Sequence, residues 1–210
     1  MIVTRRIAAL LFALLLFVPP LQADDQPVVL VIGDSLSAGY GMDADQTWVA
    51  LLQTRLQEEG YGYKVVNASI SGDTSGGGLR RLPRALRVHQ PEIVIIELGG
   101  NDGLRGVPVP VLYSNLEGMI TEARDSGAAV VLAGMLIPPN YGADYADEFA
   151  AVYPALAQKY DLPLIPFFMD RVALDYSLMQ DDGVHPTVAA QPILLENVWP
   201  VLSRTLNGQT

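Results

Sequence analysis

The chain has 210 residues, 50% of them hydrophobic and 17% charged, with a formal net charge of −10 and no cysteine. That length and apolar content suit one domain with a sizeable core and exclude a disordered chain. The acidic balance opposes nucleic-acid binding, and the missing cysteine excludes disulfides, thiol nucleophiles, thiolate metal sites and a lipidated lipoprotein anchor.

Residues 1–23 read as a secretory signal peptide. Arg5 and Arg6 form a positive start, Ile7 to Val18 is an uncharged apolar run, Pro19 and Pro20 end it, and Leu21-Gln22-Ala23 is an acceptable cleavage site. The run is short of a membrane span. The expected mature chain, residues 24–210, is exported, periplasmic or secreted, and two charges more negative than the whole. It holds no other candidate span, so an integral membrane protein is not expected.

Val28-Val29-Leu30-Val31-Ile32 predicts a short buried strand that Gly33 breaks. Ser35 follows in a Gly-rich turn at the strand's carboxyl end, where open α/β sheets bind ligands. Gly33-Asp34-Ser35 reads equally well as an ordinary turn. Thr47 can cap a helix from about Trp48 to Glu59, with Trp48, Leu51, Leu52 and Leu56 inward. A strand over 63–68 leads into a polar loop from Asn67 to Gly78. A helix over 79–88 is interrupted by Pro83 and aligns Arg80, Arg84 and Arg87 on one face, a solvated stripe or a weak attraction for anionic head groups.

Ile93 to Leu98 predicts a central parallel strand, ended by Gly99-Gly100-Asn101-Asp102-Gly103. A helix over 111–126, a strand over 129–133, a helix over 143–160 with a kink at Pro154, and a strand over 162–167 follow. A last helix begins near Pro186, with Pro200 conflicting with a regular interior. Alternating strands and helices imply a five-stranded parallel sheet with helices on both faces, in one domain.

A serine hydroxyl needs a base. The chain has two histidines. His89 ends a basic helix with no acid spaced to orient it and is expected at the surface. His185 lies in Asp182-Gly183-Val184-His185-Pro186, where Asp182 can accept from Nδ1 and leave Nε2 free as a base. Pro186 would start the next helix and hold His185 at its entrance; the alternative is a capping turn with a surface histidine. The loops at the strand ends also offer donors for a tetrahedral oxyanion: the unobstructed Gly72 N–H, the Asn101 amide and the Ser35 N–H.

Four blocks, Gly33-Asp34-Ser35-Leu36-Ser37, Asn67 to Thr74, Gly99-Gly100-Asn101-Asp102 and Asp182 to Pro186, resemble in order those of the SGNH (GDSL) hydrolases. Gly72 to Gly77 and Met179 to Gly183 resemble its thioesterase I / lysophospholipase L1 / arylesterase branch. The resemblance implies a flavodoxin-like three-layer α/β/α fold. It implies Ser35 as nucleophile, His185 as base and then acid, Asp182 as its orienter, and Ser35 N–H, Gly72 N–H and the Asn101 amide as the oxyanion hole. It also implies a mobile loop, by position about Ser75 to Pro83.

The implied reaction is hydrolysis of acyl esters and thioesters, with lysophospholipid a possible substrate and no metal or organic cofactor. A monomer is expected. HExxH, the P-loop, the dinucleotide GxGxxG and the GxSxG elbow are absent. A carbohydrate or peptidoglycan O-acetylesterase and a non-enzymatic periplasmic binding protein are the competing readings.

Overall fold

The computed structural model describes residues 26–208. The signal-peptide reading of residues 1–23 lies outside them. In chain order the elements are β1 (Val28–Gly33), α1 (Ser35–Ala38), α2 (Trp48–Glu58), β2 (Lys64–Asn67), α3 (Ser75–His89), β3 (Ile93–Glu97), α4 (Gly100–Leu104), α5 (Val109–Asp125), β4 (Ala129–Ala133), α6 (Ala143–Tyr160), β5 (Leu164–Ile165) and α7 (Gln191–Leu206).

The five strands form one parallel sheet in the order β2-β1-β3-β4-β5. Its central strands carry the core: Val29 to Ile32 and Val94 to Ile96 are fully buried. Strands covered on both faces read as near-continuous apolar runs, and these do, apart from Glu97 at the end of β3. Helices α2 and α7 pack together on one face and α3, α5 and α6 on the other, giving three layers. The chain steps from β1 to β2 on one side and then crosses to β3 on the other. That reversal opens a crevice at the carboxyl ends of β1 and β3, where such folds bind ligands. Ser35 follows β1 directly and Asn101 follows β3.

Four local expectations change. The run Ser75 to Gly78 is not loop but the first turn of α3, capped by Thr74, whose hydroxyl accepts from Gly77 N–H at 3.2 Å. The expected mobile segment from Ser75 to Pro83 is therefore helix, and its glycines serve close packing: a Cβ on Gly78 would fall 2.3 Å from Leu98 Cδ1. Pro83 and Pro200, expected to interrupt their helices, lie inside continuous ones, while Pro154 lies within α6 as expected. Each costs one backbone hydrogen bond, which the buried faces of these helices outweigh. Strand β5 is only two residues long because Pro163 and Pro166 flank it and cannot donate to a ladder. Finally, Pro186 does not begin a helix. It pairs with Met179 in an isolated antiparallel bridge, and α7 starts at Gln191.

Candidate active site

Gly33 ends β1 where no side chain fits: a Cβ there would lie 2.5 Å from Glu97 Oε2 and 2.9 Å from Ser37 Oγ. The chain then turns through Asp34, whose Oδ1 accepts from Leu36 N–H at 3.0 Å and caps α1. Ser35 is thereby the first residue of a one-turn helix, and its N–H has no intrahelical acceptor. Gly39, at φ 78°, closes the turn.

The segment from Leu178 to Thr187 brings in the histidine. Gln180 N–H donates to His185 O and Thr187 N–H to Leu178 O, both at 2.7 Å, so a two-stranded clasp replaces the expected helix entrance. Asp182 Oδ1 accepts from Val184 N–H at 2.9 Å and His185 N–H at 3.0 Å. Its Oδ2 lies 2.6 Å from His185 Nδ1. His185 Nε2 lies 2.9 Å from Ser35 Oγ, across 150 positions of chain. The His185 bond and the two N–H bonds hold the Asp182 carboxyl down at about 2. It is ionised at neutral pH and accepts at Nδ1, which leaves the proton-free Nε2 toward the hydroxyl.

The predicted oxyanion donors lie on two loops around this serine. Gly72 occupies the third position of a turn closed by Asp73 N–H on Ile70 O at 3.1 Å, and its φ of 78° is the left-handed value that a type II turn requires there. Ile70 N–H donates to Gly33 O at 3.1 Å, so the turn is seated on the end of β1. The Gly72 N–H has no acceptor among the described residues, while Gly72 O accepts from Arg105 Nη2 at 3.0 Å. Asn101 lies in α4, and its Nδ2 donates to Asp34 Oδ2 at 3.0 Å. An amide nitrogen carries two hydrogens, so one remains. Gly99, at φ 123°, starts this loop; it leaves room for Tyr153, whose hydroxyl donates to Leu98 O at 3.0 Å.

Several supporting residues escape the sequence patterns. Arg81 donates to Asp73 Oδ2 at 2.6 Å, to Gly33 O at 3.0 Å and to Ala68 O, and so ties α3 to the ends of β1 and β2. Asp102, 1% exposed, accepts from Ser75 N–H at 2.8 Å and Ser75 Oγ at 2.5 Å. Glu97 is fully buried at the end of β3; its Oε2 accepts from Ser37 Oγ at 2.5 Å, which in turn accepts from Trp48 Nε1 at 3.2 Å. Burial, then the charge of nearby Asp34, pushes the Glu97 carboxyl well above its ordinary range. Burial likewise raises Asp34 from 3.8 to about 6, against its hydrogen bonds to Leu36 and Asn101. A lone acid in the run from Ile93 to Leu98 was the available signal for Glu97. His89 ends α3 at the opposite edge of the sheet from Ser35, and Arg80, Arg84 and Arg87 are exposed. No described helix is long and apolar enough to cross a membrane.

Residues 31–192 match the GDSL-like Lipase/Acylhydrolase family. The chain is 56% identical over 178 residues to Esterase TesA of Pseudomonas aeruginosa, covering 85% of this chain and 89% of that protein. It is 46% identical over 186 residues to Thioesterase 1/protease 1/lysophospholipase L1 of Escherichia coli K12, covering 89% and 86%. Among solved structures, a psychrotrophic esterase EstA from Pseudoalteromonas sp., inhibited by monoethylphosphonate, superposes with a TM-score of 0.83 at 39% identity, covering 87% of this chain and all of that one.

Proposed function

Since the chain belongs to the GDSL-like lipase/acylhydrolase family, and is accordingly a carboxylic-ester hydrolase, we propose that it cleaves carboxylic esters and thioesters of acyl chains through Ser35, His185 and Asp182. The observation that carries this reading is the unbroken path from Asp182 Oδ2 through His185 to Ser35 Oγ, with steps of 2.6 and 2.9 Å.

His185 Nε2 takes the Ser35 proton as Oγ attacks the carbonyl carbon. Asp182 stabilises the imidazolium that forms. The carbonyl π electrons move onto oxygen, which is met by the Ser35 and Gly72 N–H groups and the free hydrogen of the Asn101 amide. Collapse of this adduct expels the alcohol or thiol, protonated by His185, and leaves an ester on Ser35. Water, deprotonated by the same imidazole, attacks that ester and releases the acid. Ser35 recovers its proton.

The relatives' names, esterase in one case and thioesterase and lysophospholipase in the other, support acyl esters, acyl thioesters and lysophospholipids as the substrate class. The Arg5-Arg6 start and the apolar run after it support a cleaved signal peptide at residues 1–23. The hydrolase domain would then be residues 24–210, working outside the cytoplasm as a monomer.

The test is hydrolysis of p-nitrophenyl esters from acetyl to palmitoyl, with Ser35→Ala beside the parent chain. Turnover extending to medium chains and abolished by the substitution is expected. Turnover of the acetyl ester alone would redirect the assignment to an O-acetylesterase. Equal rates for the two proteins would overturn Ser35 as nucleophile.

A further inference from the structure

The Tyr40 ring lies against the face of the His185 imidazole, with centroids 4.2 Å apart and planes at 30°. The two in-plane partners of the imidazole, Asp182 at Nδ1 and Ser35 at Nε2, fix its edges. Neither touches its face. Tyr40 does, although it is half exposed and its hydroxyl meets no partner among the described residues. The ring, not the hydroxyl, is what this residue contributes here.

The contact is built from both sides. Tyr40 follows directly on the turn that carries Ser35, and its N–H donates to Ser35 O at 3.2 Å. Its own carbonyl accepts from Gln180 Nε2 at 2.8 Å, and the same amide donates to Pro186 O at 2.9 Å. Gly41 makes room for this bridge, since a Cβ there would fall 2.5 Å from Gln180 Oε1. One glutamine thus joins the serine's turn to the histidine's clasp and seats the two rings on each other.

We propose that Tyr40 is a positioning residue for His185. Its ring holds the imidazole in the plane shared by Asp182 and Ser35, and its π face favours the imidazolium present once the Ser35 proton has moved to Nε2. A cation over an aromatic face gains more than a neutral ring does, so the stabilisation is larger in the transition state than in the resting enzyme. This rests on the Ser35–His185–Asp182 reading above. The charged groups facing His185 are Asp182, directly bonded, and Asp34, through space.

The experiment compares Tyr40→Leu and Tyr40→Phe with the parent chain on p-nitrophenyl acetate and butyrate, after thermal melts establish that each is folded. Tyr40→Leu is expected to lower kcat about three- to tenfold with little change in KM. Its acid limb in kcat/KM is expected to move to lower pH, because the imidazolium loses one stabilising contact while Asp182 and Asp34 remain. Tyr40→Phe is expected to recover most of the lost kcat. An unchanged kcat in Tyr40→Leu, a rise in KM alone, or an equal loss in Tyr40→Phe would each overturn the proposal. Ser35→Ala run alongside separates the two readings. If it stays active the triad itself fails, whereas an inactive Ser35→Ala with an unaffected Tyr40→Leu removes only the role of Tyr40.

Discussion

Asn101 Nδ2 donates to Asp34 Oδ2 at 3.0 Å, so the amide expected to meet an oxyanion is fastened to the residue immediately before Ser35. Asp34 accepts twice, from Leu36 N–H and from Asn101, and donates to neither. In Asp34→Asn one of these acceptors becomes an NH₂ group. To avoid facing donor with donor, Asn101 must turn its carbonyl toward Asn at position 34 or leave the contact. The expected result is a fall in kcat of about 10- to 100-fold, short of the loss that deleting the donor brings.

The same substitution is expected to remove a pH-dependent loss of stability. Asp34 is raised from 3.8 to about 6 by burial. Between those values the folded state keeps a proton that the unfolded chain has released, so stability falls as pH rises through the window and stays lower above it. Asparagine does not titrate. Between pH 4 and pH 7 the stability of Asp34→Asn should therefore rise relative to the parent's, by about 2–3 kcal/mol in denaturant unfolding. Curves of the same separation at pH 4 and 7 would count against a buried carboxyl at this position.

Asp182 carries the opposite sign. Its carboxyl is held at about 2 by His185 and by the Val184 and His185 N–H groups, so it favours the folded state above about 3.8 and loses that contribution as pH falls toward 2. Its side chain is 40% exposed, and water screens the benefit. Asp182→Asn should therefore melt slightly below the parent at pH 7, with the gap closing between pH 4 and 2. Its kcat should fall about 10,000-fold, because the amide no longer fixes the Nδ1–H tautomer. A kcat within threefold of the parent would show that the tautomer is held by something else.

The parallel sheet was legible because buried parallel strands write themselves as apolar runs such as Val28 to Ile32 and Ile93 to Ile96, separated by helical periodicity, whereas the order β2-β1-β3-β4-β5 is set by pairings between distant segments. The candidate site was legible where the proposed chemistry needs rare residues: only two histidines exist, and only His185 has an acid three positions before it. What stayed hidden depends on distant partners. Gly76 to Gly78 suggest a loop until Leu98 and Met119 are known to press on that helix face. Pro186 suggests a helix start until Met179 is seen opposite it. Arg81 looks like its exposed neighbour Arg80, yet one step around the helix places it on Asp73 and two strand-end carbonyls.

Glycines at positions 76 and 78 should respond oppositely to alanine. A methyl at 78 would sit 2.3 Å from Leu98 Cδ1 and 3.2 Å from Met119 Cε, both in fully buried side chains. Gly78→Ala should lose about 1–3 kcal/mol in denaturant unfolding. At 76 the nearest atom to an added Cβ is Asn115 Nδ2 at 3.4 Å, an ordinary contact. Gly76→Ala should gain about 0.5–1 kcal/mol from helix propensity. Neutral effects at both positions would mean that this segment is not held as helix in solution.

Asp102 links the two loops that carry the side donors of the proposed oxyanion hole. It follows Asn101 in the chain, and both its oxygens are taken by Ser75, three residues after Gly72, through N–H at 2.8 Å and Oγ at 2.5 Å. Asn115 Nδ2 donates to the same Ser75 Oγ at 3.0 Å. A carboxylate at the start of α3 also complements the helix dipole. In Asp102→Asn one acceptor becomes a donor, and Ser75 Oγ, already accepting from Asn115, must either lose its own acceptor or accept twice. The expected cost is about 1.5–3 kcal/mol in stability, the scale of a charge-assisted hydrogen bond. Because the separation of Gly72 from Asn101 is then less closely held, kcat should fall about tenfold while KM for a short ester changes little, since misplaced donors weaken the transition state more than the ground state. Stability lost with kcat intact would assign the spacing of the donors to Arg105 on Gly72 and Asp34 on Asn101 instead.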